Sequence, residues 1–311
     1  MSFREHLLKY CDRNELRRII YHLSGSCKYI SNLLSECNRK VLDSTNSTGD
    51  TQLEVDVLSN ELVLERLRGD TSFGVNEYAS EEMDKIAKLD TNSGIYSVAV
   101  DPVDGSSLAH VNLSVGTIVA IYEGSILSGR GGRDNLVGAM YVLYGPLTTL
   151  VYTIKQGVHE FVLDPAGNFV LTTSDITLND KGNIYCPGGL KRDWLEEHAN
   201  FISSLEEEGY KLRYSGGLVG DMNQILLKGG GIFTYPALKD NPQSKLRTLF
   251  ELQPMAMLVE QAGGLATDGQ ENILDRVPGD MDDRSPIYIG SKYEVTQASK
   301  FLKNSQVPAG V

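Results

Sequence analysis

No apolar run in this 311-residue chain approaches the roughly 20 residues that a membrane-spanning helix needs. Positive charge is also scarce. Only 29 Lys and Arg stand against 41 Asp and Glu, a formal net charge of −12, which argues against nucleic acid or an anionic membrane as a partner. It does not exclude a phosphorylated substrate, because bound metals and a few placed Lys and Arg residues set the local potential. Four cysteines, at 11, 27, 37 and 186, are too sparse for a disulfide framework and point to a reducing cytoplasm. Three of them fall in an expected N-terminal helix as small buried hydrophobes. The start, Met-Ser-Phe-Arg-Glu-His, lacks a signal-peptide pattern, and the five histidines show no metal-ligand spacing.

What the chain does have is the run Asp101-Pro102-Val103-Asp104-Gly105-Ser106-Ser107. It follows a β-type stretch, Tyr96-Ser97-Val98-Ala99-Val100, so two carboxylates stand three residues apart at the end of an expected strand. Carboxylates at that spacing suit a hard divalent cation such as Mg²⁺. The Gly-Ser-Ser that follows offers backbone N–H groups and hydroxyls for a phosphate. Asp-Pro and Asp-Gly also form ordinary β-turns. A turn, however, needs neither a second Asp nor two serines, and the six fixed residues recur by chance on the order of once in 10⁷–10⁸ positions. The motif therefore reads as metal-assisted phosphoryl chemistry.

Helical spacing of Leu16, Ile19, Ile20, Leu23, Ile30, Leu33 and Leu34 predicts a helix over 15–34. A polar, flexible loop is expected over 43–51 and a second helix over 56–67, with Asp56 as its N-cap. Residues 78–82 lead into a turn. Strands are expected over 116–122, 137–144, 148–154, 159–163 and 169–172. The C-terminal part then alternates: strands over 183–186, 213–214, 232–235 and 286–289, and helices over 193–208, 221–227, 246–262 and 293–302. The expected fold is α/β, two sheets in layers with helices. A boundary near residue 180 separates an N-terminal lobe, 1–180, from a C-terminal lobe, 181–311.

Two metal ions about 4 Å apart need more acids than Asp101 and Asp104. Glu81-Glu82, Asp56 and Glu251 are candidates, but spacing alone does not assemble them. The chain resembles the class I fructose-1,6-bisphosphatases and the related sedoheptulose-1,7-bisphosphatases from Asn46 to Leu302. The blocks are Asn-Ser-Thr-Gly-Asp (46–50), Asp-Val-Leu-Ser-Asn-Glu-Leu-Val (56–63), Ala-Ser-Glu-Glu (79–82) and the motif above. They continue with Leu-Arg-Tyr-Ser-Gly-Gly-Leu-Val-Gly-Asp (212–221), Gly-Ile-Phe-Thr-Tyr-Pro-Ala (231–237), Lys-Leu-Arg-Thr-Leu-Phe-Glu (245–251) and Gln-Ala-Gly-Gly (261–264).

The resemblance implies a layered αβαβα sugar-phosphatase fold and Mg²⁺-dependent hydrolysis of the 1-phosphate of a sugar bisphosphate. The expected substrate is fructose 1,6-bisphosphate, in gluconeogenesis or carbon fixation, with sedoheptulose 1,7-bisphosphate as the alternative. It implies two or more ions per site, with Mn²⁺ as a substitute, and a homo-oligomer, dimer or tetramer. Glu81, Glu82, Asp101, Asp104 and Glu251 would ligate the ions, with the Val103 carbonyl as an extra ligand. Asp56 and Glu82 would orient and deprotonate the attacking water. Gly105, Ser106, Ser107 and Arg247 would hold the departing phosphate, with Lys245 at the same end. Tyr214 and Tyr235 would hold the distal phosphate, joined by Arg213 from a neighbouring subunit. The loop 44–51, with Asp50, would close over the metals.

The match departs in two places. The Gly-Thr-Gly-Glu stretch that binds inhibitory AMP in eukaryotic members is missing, and a Lys-Tyr pair is replaced by Ile95-Tyr96, so AMP inhibition of that kind is not expected. The segment Tyr-Cys-Pro-Gly-Gly-Leu-Lys-Arg (185–192) and Asp-Asp-Arg-Ser near 282 lean toward the sedoheptulose enzymes, whereas Tyr235-Pro236 leans toward the fructose enzymes. Three rivals stand beside this reading. One is an inositol-phosphatase-like enzyme, and another is an inactive sugar-phosphate sensor. The third is a cysteine phosphatase using Cys186-Pro-Gly-Gly-Leu-Lys-Arg192, which fits a Cys-x-x-Gly-x-x-Arg loop but carries a phosphate-repelling acid at Asp193. Arg130-Gly-Gly-Arg133 reads as a solvated β-connection, Gly229-Gly230-Gly231 as a tight turn and Asp282-Asp283 as a solvated charge pair.

Overall fold

The computed structural model describes residues 1–36, 41–45, 51–69, 71–89 and 94–303. The chain opens with α1 (Phe3–Tyr10) and α2 (Asn14–Glu36), then β1 (Val41–Thr45), β2 (Thr51–Leu53) and α3 (Glu54–Arg68). Strands β3 (Val75–Ser80), β4 (Ala87–Lys88) and β5 (Tyr96–Asp104) follow, then α4 (Ser106–Ala109), β6 (Val115–Glu123) and α5 (Gly132–Asn135). Next come β7 (Leu136–Tyr144), β8 (Thr148–Thr153), β9 (His159–Leu163) and β10 (Phe169–Thr173). The second half holds β11 (Ile184–Pro187), α6 (Glu196–Glu207), β12 (Lys211–Leu212), α7 (Leu218–Leu227) and β13 (Ile232–Tyr235). Last are α8 (Gln253–Gln261), β14 (Leu265–Thr267), β15 (Ile287–Gly290) and α9 (Lys292–Lys303).

Eight strands form one sheet in the order β10-β9-β8-β7-β6-β5-β3-β4, antiparallel except for the β3–β5 pair. Five form a second sheet, β12-β11-β13-β15-β14, whose first three strands are parallel. Alternating side chains divide each sheet into two faces. Val98, Val100, Val119 and Ile121 turn one face of the large sheet toward Ile19 and Leu23 of α2 and Leu64 of α3. Ala99, Ile118, Ala120 and Tyr141 turn the other toward Val219 and Met222 of α7 and Met255 of α8. The far side of those two helices meets Cys186, Phe233 and Ile289 of the small sheet. The small sheet's outer face, with Tyr185, Ile232 and Tyr288, is covered by Phe201 of α6 and Val295 of α9. The result is five layers, αβαβα, with α7 and α8 sandwiched between the sheets.

Several elements depart from what local pattern suggests. Asp43, Ser44, Thr45 and Thr51, expected in a loop, belong to the antiparallel ribbon of β1 and β2. Cys11 is the C-cap of α1 and lies outside the long helix. α1 itself, unforeseen, starts with a capping box: Ser2 Oγ accepts the Glu5 N–H at 3.3 Å and Glu5 accepts the Ser2 N–H at 2.8 Å. The strand expected over 213–214 sits two residues earlier, because Lys211 and Leu212 pair with Ile184 and Tyr185. The helix expected from 193 begins at Glu196, preceded by a 3₁₀ turn, Lys191–Asp193. The long helix expected over 246–262 is interrupted: Thr248–Leu252 is a π turn and α8 follows it. The glycine run 229–231 is the tight connection expected, with all three residues at positive φ.

Two surface readings gain detail: Arg130 and Arg133 are exposed in the β6–β7 connection, as expected. Arg133 lies in α5 and pairs with Glu260 at 3.0 Å and Asp275 at 2.5 Å, tying the β6–β7 connection to α8. Asp283 accepts the Thr248 hydroxyl at 2.8 Å and faces Arg276 at 3.3 Å, so it anchors the π turn. Among the described residues no helix is long and apolar enough to cross a membrane.

Candidate active site

The acidic motif is shaped by a break in the sheet. β5 pairs with β6 in register up to Asp101–Ile118, slips, and resumes at Asp104–Gly116. Pro102 falls inside the slip, where its missing N–H costs no ladder bond. Its carbonyl accepts the Thr117 hydroxyl at 2.7 Å, and Asp101 Oδ1 accepts the Val103 N–H at 3.1 Å. The irregularity re-aims the strand end, as bulges do. Gly105, at φ +73°, then turns the chain into α4, bringing Ser106 and Ser107 beside the acids.

Asp104 is held from the next layer. Its Oδ1 accepts the Leu218 N–H at 3.2 Å and its Oδ2 the Val219 N–H at 2.7 Å, both from the first turn of α7. Glu251 rises from the π turn, and its Oε2 accepts the Arg247 N–H at 2.7 Å. Asp101, Asp104 and Glu251 are buried, with one oxygen of each within 4.8 Å of the others. Burial first, and mutual repulsion with Glu81 second, push the Glu251 carboxyl up to about 8. Burial raises Asp104 to about 6, opposed by the two α7 N–H groups. Burial, then Glu81 and Asp104, raises Asp101 well above the usual carboxylate range. Three crowded carboxylates with oxygen donors only are a donor set for a hard cation.

Around this cluster lies a cleft of about 320 Å³. Asp56, Glu81, Glu82, Asp101, Val103, Asp104, Gly105, Ser106, Ser107 and Glu251 line one part, and Tyr214, Tyr235, Lys245 and Arg247 the remainder. Asp56 is not an N-cap: α3 begins two residues before it, and its carboxylate is buried. Glu81 follows the end of β3, its N–H on Val100 O at 3.1 Å, and the Glu82 N–H goes to Ser80 Oγ at 3.2 Å. Arg247 is 2% exposed; it pairs with Glu81, and its Nε lies 3.6 Å from Asp282. Asp282 is exposed, as expected of a solvated charge, and also faces Arg247.

Arg213 donates to Leu212 O at 2.7 Å and is absent from the lining. Asp50 lies outside the described residues, as do 46–49. Gly216, Gly217, Leu218, Phe233 and Leu246 also line the cleft without having been singled out. The available signal was the Ser-Gly-Gly ahead of α7, where Gly217 packs closely: a Cβ there would stand 3.3 Å from Leu108 Cδ1 and 3.4 Å from Asp104 Oδ2. Cys186 lacks the setting of a nucleophile. It is fully buried, and burial pushes its thiol well above the ordinary range.

Family models described as fructose-1-6-bisphosphatase N-terminal domain and C-terminal domain match residues 4–174 and 178–303. The class 1 fructose-1,6-bisphosphatase of Trichlorobacter lovleyi is 48% identical over 305 residues, 98% of this chain and 96% of its own. That of Campylobacter jejuni is 41% identical, covering 93% of this chain and 99% of its own. Among solved structures, the holo form of Leishmania major fructose-1,6-bisphosphatase superposes with a TM-score of 0.91 at 31% identity, covering 98% of this chain and 99% of that one.

Proposed function

The chain belongs to the fructose-1,6-bisphosphatase family, and we propose that it removes the 1-phosphate of fructose 1,6-bisphosphate in the acidic cleft. The observation that carries this reading is the meeting, in one cleft, of buried carboxylates, the Gly-Ser-Ser turn and two tyrosines from the other sheet. Family members depend on a metal, and the all-oxygen donor set fits one. In this reading Mg²⁺ fills the site with two or more ions, held by Glu81, Glu82, Asp101, Asp104, Glu251 and the Val103 carbonyl, and Mn²⁺ substitutes. When bound, such ions screen the phosphate dianion and lower the pKa of a coordinated water.

The chain's own groups do the rest. Asp56 and Glu82 orient the water and take its proton. The backbone N–H groups and hydroxyls of Ser106 and Ser107, with Gly105 turning the chain, receive the departing phosphate. Arg247 adds a fixed positive charge there. Charge in a loose phosphoryl transition state sits on equatorial oxygens, so preorganised donors favour it over the ground state. Lys245 contacts the sugar phosphate at that end, and Tyr214 and Tyr235 hold the distal phosphate. Arg213, outside its own cleft, reaches the distal phosphate of a neighbouring copy in a dimer or tetramer.

The test is phosphate release with Mg²⁺ from fructose 1,6-bisphosphate, sedoheptulose 1,7-bisphosphate and inositol 1-phosphate, each with and without EDTA. EDTA-sensitive release with the highest kcat/KM on the fructose substrate is expected. A preference for either other compound overturns the substrate assignment, and EDTA-resistant release overturns the metal-based chemistry.

A further inference from the structure

Asp221 does not line the cleft and is 0% exposed, yet one segment ties it to both ends of the site. The chain leaves β12 at Leu212, turns through 213–217 and enters α7 at Leu218. Both carboxylate oxygens of Asp221 accept the Ser215 N–H, at 2.9 and 3.1 Å. The Ser215 hydroxyl donates to Gly217 O at 3.1 Å. Residues on either side of this knot line the cleft: Tyr214 before it, Gly216 and Gly217 after it. Beyond them the Leu218 and Val219 N–H groups hold Asp104. The backbone at Gly217 lies close to that at Gly105, where an added Cβ would stand 3.3 Å from the Gly217 Cα.

A buried carboxylate is costly, and an apolar side chain of similar size would fill the same space at less cost. What the carboxylate adds is a fixed place for the Ser215 backbone. We propose that Asp221 is a positioning residue for substrate length: it holds 214–217 so that Tyr214 stays at a set distance from Asp104. The inference rests on the reading of Tyr214 as a distal-phosphate ligand. A bisphosphate must match that distance at both ends, whereas a sugar carrying only the 1-phosphate need not.

The experiment compares fructose 1,6-bisphosphate with fructose 1-phosphate for the full chain with Mg²⁺, as wild type, Asp221→Ala and Asp221→Asn. Wild-type turnover of the bisphosphate decides the functional reading by itself. Asp221→Ala is expected to raise KM for the bisphosphate about tenfold, to change kcat by less than about threefold, and to cut the preference over fructose 1-phosphate about tenfold. Asp221→Asn keeps one carbonyl acceptor for the Ser215 N–H and should recover most of that loss. Equal losses on both substrates would mean general support of the fold and overturn the proposal, as would unchanged constants. Hydrogen exchange at the Ser215 amide is read in parallel and is independent of turnover. Faster exchange in either variant is expected; unchanged exchange in both overturns the proposal, and Asp221→Asn serves alone where Asp221→Ala does not fold.

Discussion

Asp104 accepts the backbone N–H of Val219 at 2.7 Å across 115 positions of sequence. The bond joins an acid at the end of a large-sheet strand to the first turn of a helix in the central layer. It leaves Asp104 acceptor-only toward α7 while the same carboxylate faces the acidic cluster.

Asp104→Asn tests that double duty. Asparagine keeps one acceptor but turns the other atom into a donor aimed at an N–H group, and it removes a cation ligand. Turnover should fall by at least about 10³-fold, with the circular dichroism spectrum of a folded protein. Turnover close to wild type would sink the assignment of the site.

The acid cluster predicts an unusual pH response. Asp104 and Glu251 are raised on folding to about 6 and about 8, from ordinary values of 3.8 and 4.5. Groups raised on folding contribute stability that is present below their unfolded values and lost as pH rises through their folded values. Metal-stripped protein should therefore lose this contribution between about pH 4 and pH 8, while bound cations offset the repulsion. His6 and His198, held near 4 and 3 chiefly by burial, destabilise the fold in acid whether or not metal is present. The measurement is the Tm gap between Mg²⁺-loaded and EDTA-treated protein, which should widen as pH rises. A gap that stays constant contradicts the cluster's role.

Cys186→Ala should leave kcat within about twofold and cost about 1 kcal/mol of stability, as loss of a small buried side chain does. Loss of phosphatase activity in this variant, with the fold intact, would revive thiolate chemistry. Steady-state kinetics and urea unfolding check it.

Gly116 of β6 sits directly against the Val219 side chain of α7. A Cβ there would meet Val219 Cβ and both its Cγ atoms at 2.6 Å. Gly116→Ala should destabilise the protein by about 1–3 kcal/mol, the range for overpacking. It should also lower activity, because Gly116 is the sheet partner of Asp104 and Val219 its donor. Adding Val219→Ala makes room, and should restore part of both in a double-mutant cycle.

Much of the scaffold can be read from the sequence. The strands over 115–173 alternate between two buried faces and are punctuated by Gly, Pro, Asp and Asn. α2 repeats apolar residues at helical spacing. The start of α7 is harder, because its cap is Gly217 and Asp221 is the first residue that looks like a helix-starting acid. Asp56 misleads in the same way, as an acid in the first turn of α3. The strand near 213 is displaced because a parallel edge takes its register from Ile184 and Tyr185, far away in sequence. Assembly of the cleft is not local at all: Arg247 meets Glu81 across 166 positions. No periodicity carries that information, and the resemblance to a family does.

The π turn Thr248–Leu252 sets a limit on how this chain can vary. It accommodates one residue more per turn than an α-helix would, and single-turn π segments of this kind cluster at functional positions. Removing one residue between Thr248 and Glu251 would let the segment run on smoothly into α8, with better backbone geometry and better helix propensity. It would also rotate every preceding side chain by about 100° relative to α8. Arg247 would then part from Glu81 and from Glu251, which keeps its place relative to α8. A length-changing edit here would trade a regular helix for the loss of the cleft, so this short stretch should tolerate changes of residue identity far better than changes of residue number.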